Sequence, residues 1–491
     1  MNQLFYGDNL DVLRDHVRDE TVDLIYLDPP FNSDTNYNVL FKSPTGEEAK
    51  AQIEAFEDTW HWNESAERAF DEVINGPHSD ASIMLRAMRG ALGDNDMMAY
   101  LAMMAVRLIE LHRVLKPTGA LYLHCDPTAS HYLKILLDAI FGAEYFQNEI
   151  VWHYSGWNAK LNTKFNSRHD VIFYYSKGKE PRFNSYTIPW ESEAEYVRVR
   201  KQKVNTEKSG KKFVLSDAGG GRRVKRYLHE AMAYGKPVDD VWDIDKINNS
   251  SKESLGYQTQ KPVALLQRIV AASSNEGDLV LDPFCGCGTT IHASEKMKRQ
   301  WIGIDVTHLA IALVERRLKE AFSGIVYEVH GVPKDHASAR DLAVRDKHEF
   351  QKWITATIGA QPYRGGRKGM DRGIDGYMHF RDADRKAQFA VVSVKGGSIT
   401  PSMVRDLKGT MEREGAALGL FLTLNDPTRE MIKEAASAGI YETGGQKISR
   451  VQILTAAEIL EGRRPQVPFG FSEGFAKATR EEDDDAQGSL L

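Results

Sequence analysis

The stretch DLVLDPFCGCGTT, residues 278–290, decides how the rest of the chain is read. Three apolar residues running into Asp282 and Pro283 describe a short buried strand that meets a loop. Gly286 and Gly288, at alternate positions, let main-chain N–H groups approach an anionic ligand at the start of a helix. WIGID (residues 301–305) is the next strand, and its last residue, Asp305, can accept from ribose hydroxyls. Ile291 stands where a dinucleotide fingerprint has its third glycine, which argues against NAD. Cys285 and Cys287 read as small loop residues, since two thiols one residue apart make a poor zinc site.

Working outward, residues 261–274 read as a helix before this strand, and VDLIYLD (residues 22–28) as another buried strand ending in an acid and two prolines. Met97, Leu101, Met104, Leu108, Leu111 and Leu115 recur at helical spacing and predict a helix over 95–116, stopped by Pro117 and Gly119. A strand over 120–126 and a helix over 130–142 follow. After about Gly178 the periodicity fades, to return near Lys261. Strand–helix alternation on both sides of an irregular insert implies an α/β, Rossmann-like, doubly wound parallel sheet interrupted by a module. Past Gly331 a second, smaller α/β domain is expected: a helix over 347–360, two strand-like runs over 373–380 and 388–397, then further strands and helices.

The composition suits this. The 491 residues are 42% hydrophobic and 27% charged, a globular balance that excludes a disordered or fibrous chain. No apolar run reaches the roughly 18–20 residues that span a bilayer, so no membrane role is expected. The first residues carry acids where a signal peptide needs an apolar core. Three cysteines (Cys125, Cys285 and Cys287) are too few for a disulfide framework, which points to a reducing, cytoplasmic setting. The net charge of −6 hides an asymmetry: residues 196–226 hold eleven lysines and arginines against Glu207 and Asp217 alone. Within this stretch GGGRRVKRY places Arg222, Arg223, Lys225 and Arg226 beside glycines, as phosphate neutralisation requires. The five carboxylates of residues 481–485 read instead as a solvated tail.

Asp28-Pro29-Pro30-Phe31 is the second chemical motif. Two prolines remove two N–H donors, leaving the Asp28 carboxylate and carbonyls such as that of Pro29 beside an aromatic ring. Acceptors of this kind suit an exocyclic amine, a poor nucleophile whose lone pair is delocalised until its N–H bonds are gripped. Phe31 would stack on the base, which must leave its duplex to be reached.

The order GDNLDVL (residues 7–13), DPPF, basic insert, GYQTQKPVALLQRIV (residues 256–270), DPFCGCGTT and WIGID resembles the permuted beta class of amino DNA methyltransferases. The resemblance covers residues 1–330, with target recognition in an insert over about 151–255. It implies that Asp282, Phe284, Gly286, Gly288, Thr289 and Asp305 hold S-adenosylmethionine, with Lys261 and Pro262 at its methionine end. It also implies that Asp28, Pro29, Pro30 and Phe31 hold the target base, with Asp8 near that pocket. Cys287 replaces the serine usual in FxGSGTT. An aspartate opening the loop resembles adenine-modifying members, and DVWDIDKINNSSKES (residues 240–254) resembles the adenine methyltransferases of modification subunits.

The second domain, over 340–470, resembles the Mrr-like restriction-endonuclease fold, in which an aspartate and an acid-x-lysine hold Mg²⁺ and the attacking water. Asp375 in GIDGY and Lys395 in Ser393-Val394-Lys395 fit that pattern, with Ser393 where the family has Glu, Asp or Gln. Glu349, on the preceding helix, is the candidate second metal carboxylate. The resemblance thus implies a restriction–modification protein that methylates an exocyclic amine, adenine N6 preferred, in double-stranded DNA and cuts with Mg²⁺, in a prokaryote or phage. Two alternatives stand beside it: a solitary methyltransferase whose nuclease-like domain only binds or docks, and a DNA-binding regulator without catalysis. A second copy of the chain and a separate helicase or restriction subunit are the partners left open. The chain itself carries no P-loop. Residues 471–491 form the expected acidic, disordered tail.

Overall fold

The computed structural model describes residues 1–30, 61–156, 160, 161, 163–217, 219, 222–248, 251, 253–257, 259–363, 373–468, 478, 480 and 481. Its larger sheet has nine strands. In chain order they are β1 (Asn2–Tyr6), β2 (Val22–Leu27), β3 (Leu115–Cys125), β4 (Phe146–His153), β5 (His169–Ser176), β6 (Val241–Asp243), β7 (Leu279–Asp282), β8 (Gln300–Asp305) and β9 (Tyr327–His330). Across the sheet they lie in the order β6-β4-β5-β3-β2-β7-β8-β1-β9. From β3 to β9 every neighbour is parallel, whereas β5 is antiparallel to both β3 and β4. The sheet is therefore mixed at one edge, not parallel throughout.

Both faces of the sheet are covered, as a parallel sheet requires. On one side helices α1 (Asn9–His16), α2 (Glu64–Asn75), α3 (Ser79–Leu92), α4 (Asp96–Val114) and α5 (Ser130–Phe141) share a core with Ile25, Leu27, Leu121 and Leu123. On the other, Leu24, Tyr26, Tyr122 and Trp152 pack with Leu265, Leu266 and Ile269 of α6 (Val263–Ser273). Helix α4 matches its apolar spacing. The Asn95 side chain caps it by accepting from Met98 N at 2.9 Å, and β3 takes over directly at Leu115. The glycine loop leads into α7 (Thr289–Lys296), and α8 (His308–Ala321) follows β8.

The insert expected over about 151–255 is shared between the main sheet and a separate module. Strands β4, β5 and β6 belong to the main sheet, so the separate module lies between Ser176 and Val241. It contains a small sheet in which Lys212–Asp217 pairs with Arg223–Tyr227. Val214, Trp190, Tyr196 and Leu228 form its own core.

The C-terminal domain has a five-stranded sheet, β10 (Gln361–Pro362), β11 (Gly376–Arg381), β12 (Ala387–Lys395), β13 (Leu418–Thr423) and β14 (Val451–Thr455), in that spatial order. Helix α9 (Lys347–Thr357) packs on one face, α10 (Pro401–Glu414) and α11 (Arg429–Ala436) on the other. Among the described residues no helix is long and apolar enough to cross a membrane.

Candidate active site

Successive connections leave β2 and β7 toward opposite edges, so a crevice opens between the C-terminal ends of these neighbours, the place where open α/β sheets bind ligands. Asp28, Pro29 and Pro30 leave β2 there, and Asp282 ends β7 beside them. Gly286 (φ 49°) and Gly288 (φ 73°) take the left-handed conformation that the loop needs to turn into α7. A Cβ on Gly288 would stand 2.9 Å from Val314 Cγ2, so the loop lies hard against α8. Asp305 ends β8, and its two oxygens accept from Gly286 N at 3.0 Å and from Thr307 N and Oγ1 at 2.8 Å. Asp282 accepts from Phe284 N at 3.1 Å. Burial pushes the Asp282 carboxyl up to about 7 and that of Asp305 up to about 6, against the pull of these donors. Two strand-end carboxylates, Asp282 buried and Asp305 half-buried, left-handed glycines and a helix N-terminus fit a cofactor carrying a ribose.

Two supports of this loop gave no sequence signal. Arg317 on α8 is buried and donates to Cys287 O at 3.0 Å and Thr289 Oγ1 at 3.1 Å. Asn9 donates to Pro283 O at 2.8 Å and accepts from Arg107 Nε at 2.7 Å. Arg107 also grips Asp8 through both carboxylate oxygens, at 2.8 and 2.9 Å. Asp8 caps α1 after β1, and β1 is separated from β2 by β7 and β8. At roughly 4.8 Å per strand, this corrects its expected place near the base pocket: Asp8 belongs to the far side of the cofactor loop.

Asp28 is held from two sides. Lys261 pairs with Oδ2, and His124 Nδ1 lies 3.5 Å from Oδ1. Lys261, expected at the cofactor's methionine end, pairs through its ammonium with the Asp28 carboxylate. Pro262 is the N-cap of α6, and Glu253 accepts from Val263 N at 2.5 Å, which fixes the segment that presents Lys261. Phe31 lies outside the described residues.

In the C-terminal domain, Asp375 is buried ahead of β11 and accepts from Val394 N at 2.5 Å. Lys395 Nζ is 3.9 Å from the same oxygen, so the sheet brings Asp375 and Lys395 together as expected. Glu349 does not join them, and this overturns its assignment as a metal ligand. It accepts from Tyr6, pairs with Lys352 at 3.0 Å and lies 3.5 Å from His308 Nε2, facing the first domain. The residue of α9 that reaches Asp375 is Gln351, through its amide nitrogen. Among the described residues no three His, Cys, Asp or Glu side chains gather as a metal site.

The DNA methylase family matches residues 22–316, and a restriction endonuclease family matches residues 342–452. The chain belongs to the DNA methylase family. Type II methyltransferase M.EcaI of Enterobacter cloacae is 28% identical over 360 residues, 64% of this chain and 69% of that protein. Type II methyltransferase M.HpaI of Haemophilus parainfluenzae is 30% identical over 217 residues, 44% of this chain and 59% of that protein. DNA adenine methyltransferase YhdJ of Escherichia coli K12 is 26% identical over 341 residues, 69% of this chain and 86% of that protein. Among solved structures, the cytosine-N4-specific PvuII DNA methyltransferase aligns at 12% identity over 66% of this chain and 89% of that one, with a TM-score of 0.37.

This DNA methylase carries its basic stretch on the insert's small sheet, where Arg222, Arg223, Lys225 and Arg226 are all exposed. They are not equivalent. Lys225 pairs with Glu207 and stands 4.7 and 4.9 Å from the Phe213 and Tyr227 ring centres. Arg226 lies 4.8 Å over Tyr234. The acidic tail is not wholly solvated either: Glu481 returns to α7 of the DNA methylase domain and meets His292 at 2.8 Å and Lys296 at 2.6 Å.

Proposed function

We propose that the chain methylates the exocyclic amine of a base flipped out of duplex DNA, adenine N6 preferred, using S-adenosylmethionine. The observation that carries this is the meeting of the Asp28 loop and the glycine loop at one crevice, between adjacent parallel strands, in a member of the DNA methylase family. S-adenosylmethionine would supply an electrophilic methyl on a positively charged sulfur. Asp282, Phe284, Gly286, Gly288, Thr289 and Asp305 would hold it along the β7 and β8 ends. Asp28 would accept the amine's N–H bonds, favour a tetrahedral nitrogen and stabilise the positive charge that develops there. The aspartate opening the loop and the adenine specificity stated in the name of YhdJ support adenine over cytosine. Duplex DNA would lie along the insert, with Arg222 and Arg223 toward phosphates and the more constrained Lys225 and Arg226 behind them.

For the C-terminal domain, the described residues do not fit a Mg²⁺ centre. Among the described residues Asp375 has Gln351 and Lys395 beside it and belongs to no cluster of three such ligands, and a hard cation is held weakly by one carboxylate. We assign this domain to DNA engagement, with cleavage awaiting a second oxygen ligand. Sequencing of modified bases in DNA from cells expressing the chain tests the main reading. N6-methyladenine in a fixed sequence context is expected. N4-methylcytosine alone would overturn the base assignment, and unmodified DNA would overturn the activity.

A further inference from the structure

Methylation of an amine releases a proton. The N–C bond forms, the S–C bond breaks with its electron pair passing to sulfur, and the nitrogen must shed one of its hydrogens. Asp28 can receive that proton first, but a carboxylate that keeps it no longer stabilises the next positive nitrogen. The structure carries a second acceptor directly behind Asp28.

His124 is wholly buried at the end of β3, the strand beside β2. Its Nδ1 lies 3.0 Å from the Tyr26 hydroxyl and 3.5 Å from Asp28 Oδ1, and its Nε2 lies 3.3 Å from Asp170 Oδ2. Asp170 starts β5, on the other side of β3, and also accepts from Tyr154 Oη at 3.2 Å. Lys246 Nζ is 3.6 Å from it and 3.7 Å above the Tyr154 ring. The groups facing the imidazole are therefore Tyr26 and Asp28 from β2, Asp170 from β5 and the Trp152 edge from β4. Lys261 stands beyond Asp28, and Lys246 with Tyr154 beyond Asp170.

This arrangement selects a tautomer. An ionised Asp170 offers only lone pairs, so Nε2 carries the hydrogen and donates to it. Nδ1 is then the acceptor nitrogen: it takes the Tyr26 hydroxyl at 3.0 Å and lies 3.5 Å from Asp28 Oδ1, so a proton arriving from Asp28 turns that hydroxyl away. Burial opposes the ionised form of Asp170, yet the hydrogen bond and charge of His124, with Lys246 and Lys261, hold its carboxyl down to about 2. A histidine kept only for packing needs one partner. This one spans two carboxylates, and an imidazolium between them would be stabilised from both sides.

We propose that His124, oriented by Asp170, is the positioning and proton-relay residue behind Asp28: it takes the proton that Asp28 receives from the methylated amine. The proton moves from nitrogen to the Asp28 carboxylate, then to His124 Nδ1, giving an imidazolium between Asp28 and Asp170. Held there between the two carboxylates, it returns through Asp28, whose side chain is 18% exposed, and passes to solvent once the methylated base has left. Asp28 is thereby restored as a carboxylate for the next turnover. The inference rests on the proposed role of Asp28, and the test separates the two.

The full-length protein would be given labelled S-adenosylmethionine and DNA from a host without methyltransferases, and turnover measured. His124→Asn cannot take a proton, and Asp170→Asn no longer favours an imidazolium. Each is expected to lower kcat by roughly 10- to 100-fold, within the range of positioned acid–base groups, with KM for DNA and cofactor affinity within about threefold of wild type. Wild-type kcat in both variants, with Asp28→Ala inactive, would overturn the relay alone. An active Asp28→Ala would overturn the reading of the loop. If His124→Asn does not fold, Asp170→Asn, which leaves the imidazole in place, decides.

Discussion

Gly288→Ala tests whether the glycine loop is built as a cradle pressed against α8. Gly288 sits at φ 73°, where a side chain costs roughly 1–2 kcal/mol. Its new Cβ would stand 2.9 Å from Val314 Cγ2 and 3.2 Å from Cγ1, well inside ordinary carbon contact. Val314 is fully buried on α8 and cannot swing into solvent, so overpacking adds roughly 1–3 kcal/mol. The expected loss is about 2–5 kcal/mol, a large share of a typical 5–15 kcal/mol. Urea titration of the full chain, following the transition that S-adenosylmethionine protects, measures it. The informative partner is Val314→Ala, which alone should cost roughly 2–4 kcal/mol through the cavity it leaves. In the double variant the steric part of the glycine substitution disappears, so the two losses should fall short of additivity by roughly 1–3 kcal/mol. Additive losses within about 0.5 kcal/mol would refute the contact and with it the argument that α8 sets the loop's shape.

Asp28→Ala should lower methyl transfer by a factor of order 10² or more while the protein still binds S-adenosylmethionine, measured by calorimetry and product formation. Arg222→Ser with Arg223→Ser should flatten the salt dependence of DNA binding by up to about 0.9 log unit per lost phosphate contact. Lys225→Ser should change that slope less, because Lys225 is already paired with Glu207. Asp282 and Asp305 have folded-state values raised by burial, so the stability they contribute is fully present below the ordinary carboxyl range. It is lost as pH rises through about 6 and 7. Asp282→Asn should therefore flatten the decline in cofactor-free stability between acid and neutral pH, seen in melts at several pH values. Ser393→Glu should produce Mg²⁺-dependent nicking of unmethylated plasmid that the wild type shows weakly or not at all. Glu349→Ala in that background should leave the nicking intact.

The parts of the molecule legible in the sequence are those fixed by short-range pattern. Strand β2 with its two prolines, the glycine loop after β7 and the spacing of α4 each carry their signal within a few residues. The supports of the site carry none. Arg107 and Arg317 lie in helices whose patterns explain them equally well as solvated cations, and only the folded chain shows both buried against loop carbonyls or carboxylates. His124 sits in an apolar strand run, where a lone histidine reads as filling. Its meaning depends on Asp170, which reaches it through the antiparallel pairing of β3 with β5. The insert is a related case. Strands β4 to β6 extend the main sheet from its edge, and edge pairing leaves no mark that separates it from a module's own sheet.

Glu349 shows how far a residue type can mislead when helical geometry is left out. An acid on the helix before a nuclease-like sheet is a natural second metal ligand. But residues two apart on an α-helix project about 200° apart, so Glu349 and Gln351 of α9 cannot serve one centre. Gln351 turns inward to Asp375, and Glu349 turns outward to Tyr6 and His308, which stack on each other at 3.7 Å. Hydrogen bonding and the nearby cations hold the Glu349 carboxyl far below its ordinary range despite burial, so this contact persists except in strong acid. Tyr6 pairs in register with Asp305, the expected ribose acceptor. A single helix thus touches the polar centre of one domain with one side and the cofactor end of the other domain's sheet with the opposite side. Among the described residues Glu349 therefore supplies no ligand beside Asp375, and its carboxylate joins the two domains instead.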